Sequence, residues 1–142
     1  MTSIKLIKQF REEIKQPTPN FLTITTNPDT LNAVCYRFGD LLHGRGFDIV
    51  GAFEVVGYSI VPLFAVMENL PFVFIDDNKI LPPTTSTDRL LLICGQITKK
   101  DVDFINTLSQ QTTISAIASL IESDHTVKFP QIYLYTRRDL GV

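Results

Sequence analysis

The chain has 142 residues, 44% of them apolar, which is enough for one hydrophobic core and close to the usual size of one domain. Its net charge of −2, with Lys99-Lys100 the nearest approach to a basic run, excludes the broad cationic surface that nucleic acid or an anionic membrane requires. The longest apolar stretch, residues 59–67, is far shorter than the roughly 20 residues that span a bilayer, and residues 1–10 lack the unbroken apolar centre of a signal peptide.

A single domain over residues 1–142, soluble and cytoplasmic, is therefore expected. Two cysteines, Cys35 and Cys94, fit a reducing compartment better than a disulfide framework. Two histidines and two cysteines at scattered spacings make a structural zinc site a poor fit, and no metal site is expected.

Along the chain, Ile4, Ile7, Phe10 and Ile14 recur at helical spacing and predict an amphipathic helix that stops before Pro17. Residues 21–25 alternate and predict a short strand. Asn27-Pro28-Asp29 then offers an N-cap, a proline at the first helical position and an acid in the first turn. The stripe Leu31, Val34, Cys35, Phe38, Leu41 and Leu42 carries that helix to His43-Gly44, where glycine accepts a left-handed cap and an imidazolium would meet the helix dipole favourably.

From residue 47 the pattern becomes strand, helix, strand. Residues 47–53 predict a buried strand, and residues 57–69 a helix, in which Pro62 is tolerable only within the first turn. Pro71 to Ile75 predicts a second strand, and the stretch 82–87, with its prolines and threonines, an exposed loop. Arg89 to Cys94 is a third strand, residues 101–110 a helix, residues 113–121 a fourth strand, and Gln131 to Tyr135 an edge strand. Short apolar strands alternating with helices imply an α/β fold, a single doubly wound, mainly parallel sheet with flanking helices. Ligands of such sheets bind at the carboxyl ends of the strands. Here these are the loops after Phe53, Ile75 and Cys94.

Three segments carry a family resemblance: the strand 47–53 followed by Glu54 and Gly57, the strand Pro71-Phe-Val-Phe-Ile75, and Arg89-Leu-Leu-Leu-Ile-Cys94-Gly95-Gln-Ile-Thr98-Lys-Lys-Asp101. Together, over residues 48–122, they resemble a type I phosphoribosyltransferase, orotate phosphoribosyltransferase-like, with a degenerate motif for phosphoribosyl pyrophosphate (PRPP). In that family, two consecutive acids at the strand end hold the ribose hydroxyls. A Thr/Gly-rich loop opening a helix then cradles the 5′-phosphate through backbone N–H groups and hydroxyls.

The resemblance implies that Cys94 and Gly95 stand at the acid positions, that Gln96 follows, and that Thr98, Lys99 and Lys100 stand in the phosphate loop. Phe53, Glu54 and Gly57 would form the pyrophosphate loop. Three departures weigh against turnover. Neither Cys94 nor Gly95 accepts hydrogen bonds from vicinal hydroxyls as a carboxylate does. Larger residues replace the glycines that let a backbone approach a phosphate closely. The connection from residue 76 to 88 is short and Pro-rich, without the mobile hood and basic residues of orotate-type enzymes.

The resemblance and its departures together imply a non-catalytic phosphoribosyltransferase-like protein that binds a nucleotide or other phosphorylated small molecule, or acts as a regulatory partner. No resident cofactor is expected, and Mg2+ enters only if PRPP binds. One alternative is an atypical active orotate-type transferase, in which Lys99, Lys100, Thr98 and Glu54 take over ligand contacts and Asp101 or Asp103 reaches the ribose. The other is a structural interaction module, in which the apolar helix around residues 57–67 forms a homodimer face. Asp76-Asp77 has the composition of a solvated turn. The local run Glu122-Ser123-Asp124-His125 does not make a triad, because hydrolytic triads assemble from distant segments.

Overall fold

The computed structural model describes residues 1–85 and 87–142; Ser86, inside the expected 82–87 loop, lies outside the described residues. Helix α1 (Ser3–Ile14) is capped by the Thr2 hydroxyl, which accepts from the Lys5 amide, and it buries Leu6 and Phe10. Helix α3 (Pro28–Leu42) starts as expected: the Asn27 side chain accepts from the amides of Asp29 and Thr30, and Gly44 ends the segment at a φ of 79°.

Between them the expected strand at residues 21–25 is instead a single helical turn, α2 (Leu22–Thr25). The buried residues Phe21, Ile24 and Thr25 follow i, i+3, i+4 spacing, and the Thr25 and Thr26 hydroxyls donate back to the carbonyls of Phe21 and Leu22. Five alternating residues fit one helical turn as well as a strand, and hydroxyl back-bonding favours the turn here.

Strand β1 (Ile49–Ala52), helix α4 (Val55–Met67), strand β2 (Phe72–Asp76), strand β3 (Lys79–Leu81), strand β4 (Arg89–Cys94), helix α5 (Lys99–Leu108), strand β5 (Thr113–Ile121), strand β6 (Gln131–Tyr135) and helix α6 (Arg137–Leu140) complete the chain. The sheet runs β3-β2-β1-β4-β5-β6, and only β3 is antiparallel to its neighbour. The doubly wound, mainly parallel fold is as expected.

Two features differ from expectation. Helix α4 begins at Val55, before Gly57, so Pro62 lies in its interior and not in its first turn. A proline there leaves the Tyr58 carbonyl without its helical donor and costs about 3 kcal/mol. Burial of Val56, Ile60, Val61, Phe64 and Ala65 offsets that cost. The hairpin strand β3 falls in the connection expected to be only a loop, joined to β2 through Asp77 and Asn78 at φ values of 46° and 65°. Positive φ at both turn residues matches the right-handed strand twist, which is why Asp and Asn serve there.

Alternation along β4 splits the core between the two faces. Leu91 and Ile93 point into the layer of α1, α3, α4 and α6, with Phe10, Phe38 and Phe64. Leu90, Leu92 and Cys94 point into the layer beneath α5, with Ile105 and Leu108. Central strands buried on both faces therefore read as continuous apolar runs.

Candidate functional site

β1 and β4 are neighbours, yet the chain leaves β1 towards β2 on one side and β4 towards β5 on the other. The loops after Ala52 and Cys94 thus diverge at the point where such sheets hold ligands.

Glu54 caps α4: its carboxylate accepts from the amides of Val56, at 3.3 Å, and Gly57. The Gly95 amide, from the opposite loop, donates to the same carboxylate. Burial pushes the Glu54 carboxyl above the usual glutamate range; the bonds from Gly57, Val56 and Gly95 pull it down, and the negative charge of Asp101 pushes it up. Gly57 is fixed by packing. A Cβ on it would lie 2.4 Å from the Ile93 carbonyl oxygen, so the first turn of α4 rests directly on the backbone of β4. Phe53 turns the other way and stacks on Phe104 of α5, ring centroids 5.1 Å apart.

The second loop is packed with the chain's own atoms. Cys94 is fully buried, and burial, then the charges of Glu54 and Asp101, holds its thiol well above its ordinary range. A Cβ on Gly95 would meet the Phe21 ring and Val56 at 3.3 Å, so α4 and the residue preceding α2 close over it. The Gln96 side-chain amide donates to the Glu122 carbonyl at 2.9 Å, and the Ser123 hydroxyl donates to the Ile97 carbonyl. Ile97 itself is 1% exposed, a core residue in the middle of the loop.

At the start of α5, Thr98 and Asp101 form a reciprocal capping box: the Asp101 amide donates to the Thr98 hydroxyl at 3.2 Å, and the Thr98 amide to the Asp101 carboxylate at 2.9 Å. Lys99 and Lys100 are exposed on the first turn.

The structure therefore gathers Glu54, Gly57, Cys94 and Gly95 at one point, leaves Lys99 and Lys100 on the rim, and sends Phe53 towards α5. Three participants escaped the sequence reading. Phe21 reaches Gly95 from a distant segment and left no local signal. Ile97 is one apolar residue in a polar stretch, and the spacing Thr98-Lys-Lys-Asp101 carried the capping box openly.

Elsewhere, cavities of about 310, 420 and 490 Å3 lie against α1 and its neighbours, none of them lined by Glu54 or by residues 94–100. Among the described residues no three His, Cys, Asp or Glu side chains are grouped to hold a metal ion. Nor is any described helix long and apolar enough to cross a membrane.

No family model matches the chain, and no curated protein matches it in sequence. Solved structures do resemble it in fold. UMP synthase of Leishmania donovani superposes with a TM-score of 0.79 at 14% identity, covering 99% of this chain and 37% of that one, so the chain spans little more than a third of that protein. Orotate phosphoribosyltransferase of Mycobacterium tuberculosis, in complex with inorganic phosphate, gives 0.75 at 11% identity, covering 97% of each chain. Adenine phosphoribosyltransferase of Trypanosoma brucei, in complex with AMP, pyrophosphate and ribose-5-phosphate, gives 0.71 at 18% identity, covering 94% of this chain and 80% of that one. The likeness thus extends over nearly the whole chain, beyond the 48–122 segment that carries the sequence resemblance. The chain has the fold of the type I phosphoribosyltransferases.

Proposed function

We propose that this is a cytoplasmic phosphoribosyltransferase-like protein without transferase catalysis, acting as a regulatory or assembly partner. The observation that carries the reading is the end of β4. A buried thiol and a glycine roofed by Phe21 and Val56 stand at the two positions matched to the ribose-binding acids. No carboxylate stands at those two positions to hold vicinal hydroxyls, and the amides of Val56, Gly57 and Gly95 are bonded to Glu54 and that of Thr98 to Asp101. A transition state stabilised by such groups loses several kcal/mol of stabilisation without them, by order of magnitude.

The apolar outer side of α4 favours the homodimer within this reading. Val55 is 57% and Val66 71% exposed, and Phe74 of β2, edge-on to Tyr58, is 38% exposed. Exposed large apolar side chains on one side of a helix suit an interaction surface.

A second reading, binding of a nucleotide or other phosphorylated small molecule at the strand ends, is favoured by the exposed Lys99 and Lys100 at the start of α5. One structure of the fold is in complex with inorganic phosphate and another with AMP. In it, Cys94, Gly95, Gln96 and Thr98 act only as the walls of a degenerate site, with Glu54 and Gly57 at the pyrophosphate loop. Mg2+ joins only with PRPP, and neither reading needs nucleic acid or a membrane.

The test is an assay of pyrophosphate release from PRPP and Mg2+ with orotate, adenine and other nucleobases. No release above the protein-free rate is expected. Turnover with any base would overturn the reading and direct attention to Asp101 and Asp103.

A further inference from the structure

Tyr135, at the end of β6, is 1% exposed, yet its hydroxyl has no hydrogen-bond partner; among the described residues it is the one buried side-chain polar atom left so. A buried phenol ordinarily finds a partner, which makes this hydroxyl a pointer to a bound group. The ring is held by Phe10, centroids 5.3 Å apart, and by Arg37, whose guanidinium carbon stands 4.5 Å from the ring centre. Arg37 is half-buried and only partly used. Its Nε donates to the Leu134 carbonyl at 3.1 Å, while no hydrogen bond or ion pair joins its Nη groups to another described residue. Asp40 follows it on α3 at i+3, a spacing at which ion pairs form, yet the guanidinium faces β6 instead. Tyr135 and Arg37 both line a cavity of about 420 Å3 between the start of α1 and α3. Its α3 wall is one helical face, Asp29, Asn32, Ala33, Tyr36, Arg37 and Asp40 at i, i+3, i+4, i+7, i+8 and i+11. Among the described residues lining it, the charged side chains are Arg37, Asp29 and Asp40.

We propose that this cavity binds a small zwitterion, an α-amino acid with an apolar side chain. Its carboxylate accepts from the Tyr135 hydroxyl and from the Nη groups of Arg37, supplying the acceptor that both donors lack. Its ammonium group meets Asp40, about 4.5 Å further along the helix axis at 1.5 Å per residue. Leu6, Leu41 and the Tyr36 ring, 68% exposed at the mouth, receive the side chain. Charge selects this class of ligand. Two carboxylates against one guanidinium repel a phosphate dianion, whereas a neutral molecule leaves the guanidinium without a counter-charge. The volume falls within the range of small-ligand sites.

The cavity is distinct from the strand ends and from α4, so the inference stands or falls apart from the proposed function. The test is an NMR titration of the full chain with L-leucine and L-phenylalanine, beside N-acetyl-leucine, leucinamide and inorganic phosphate. Expected are saturable shifts at Tyr135, α3 and the start of α1 with both amino acids. The two blocked forms, each lacking one of the charges, should bind about tenfold more weakly or worse. Tyr135→Phe removes only the hydroxyl and should weaken L-leucine binding about tenfold, the effect of one hydrogen bond to a charged group. The same variant should leave the Tm of the free protein unchanged or raised, because the hydroxyl has no partner within the fold. No saturable binding of either amino acid would overturn the proposal. So would a lowered Tm in Tyr135→Phe, or a blocked form or phosphate that binds as tightly as L-leucine.

Discussion

The two loops at the switch point are filled in different ways. In the β1–α4 loop the acid and the glycine are both used internally: Glu54 caps its own helix, and Gly57 is required by the Ile93 carbonyl 2.4 Å from where a Cβ would lie. In the β4–α5 loop the space is taken by Ile97, Phe21 and a capping box. A residue that matches a binding motif can thus be retained for packing alone.

Substitutions separate the two loops. Ile97→Ala should cost the most, about 3 kcal/mol in urea unfolding, as expected for truncating a buried isoleucine. A loss under about 0.5 kcal/mol would mean the loop is a solvated cradle after all. Gly57→Ala should cost about 2 kcal/mol, because the clash is with backbone and neither helix nor strand yields easily. Gly95→Ala should cost less, since the Phe21 and Val56 side chains at 3.3 Å can shift. Equal costs at the two glycines would erase the contrast drawn between the loops.

The smallest effect is one of pH. Burial raises the Glu54 carboxyl above its unfolded value, so the protonated form is favoured by folding. The associated stability is complete below the unfolded glutamate pKa and is lost as pH rises through the higher folded value. Relative to Glu54→Gln, the native chain should therefore lose stability as pH rises above the ordinary glutamate range. A difference that is flat with pH, or that grows in favour of the native chain, would mean the three amide bonds outweigh desolvation.

Much of this was legible in the residues. Strands β4, β5 and β6 were visible as apolar runs, and α3 announced itself by Asn27-Pro28 and its stripe. What escaped had physical causes. Residues 21–25 are too few to separate period 2 from period 3.6. Pro62 was placed by a local rule that burial of the rest of α4 overrides, and β3 is a three-residue edge whose pairing depends on a turn. At the site, Cys94 and Gly95 at the end of β4 could be read at once, but the closure of Gly95 by Phe21 depends on tertiary packing across 74 positions of sequence.

The central claim is the proposal that the strand ends do not bind PRPP. Isothermal titration calorimetry of the protein with PRPP and Mg2+ addresses it directly. The account predicts no binding heat at millimolar ligand, and saturable micromolar binding would contradict it.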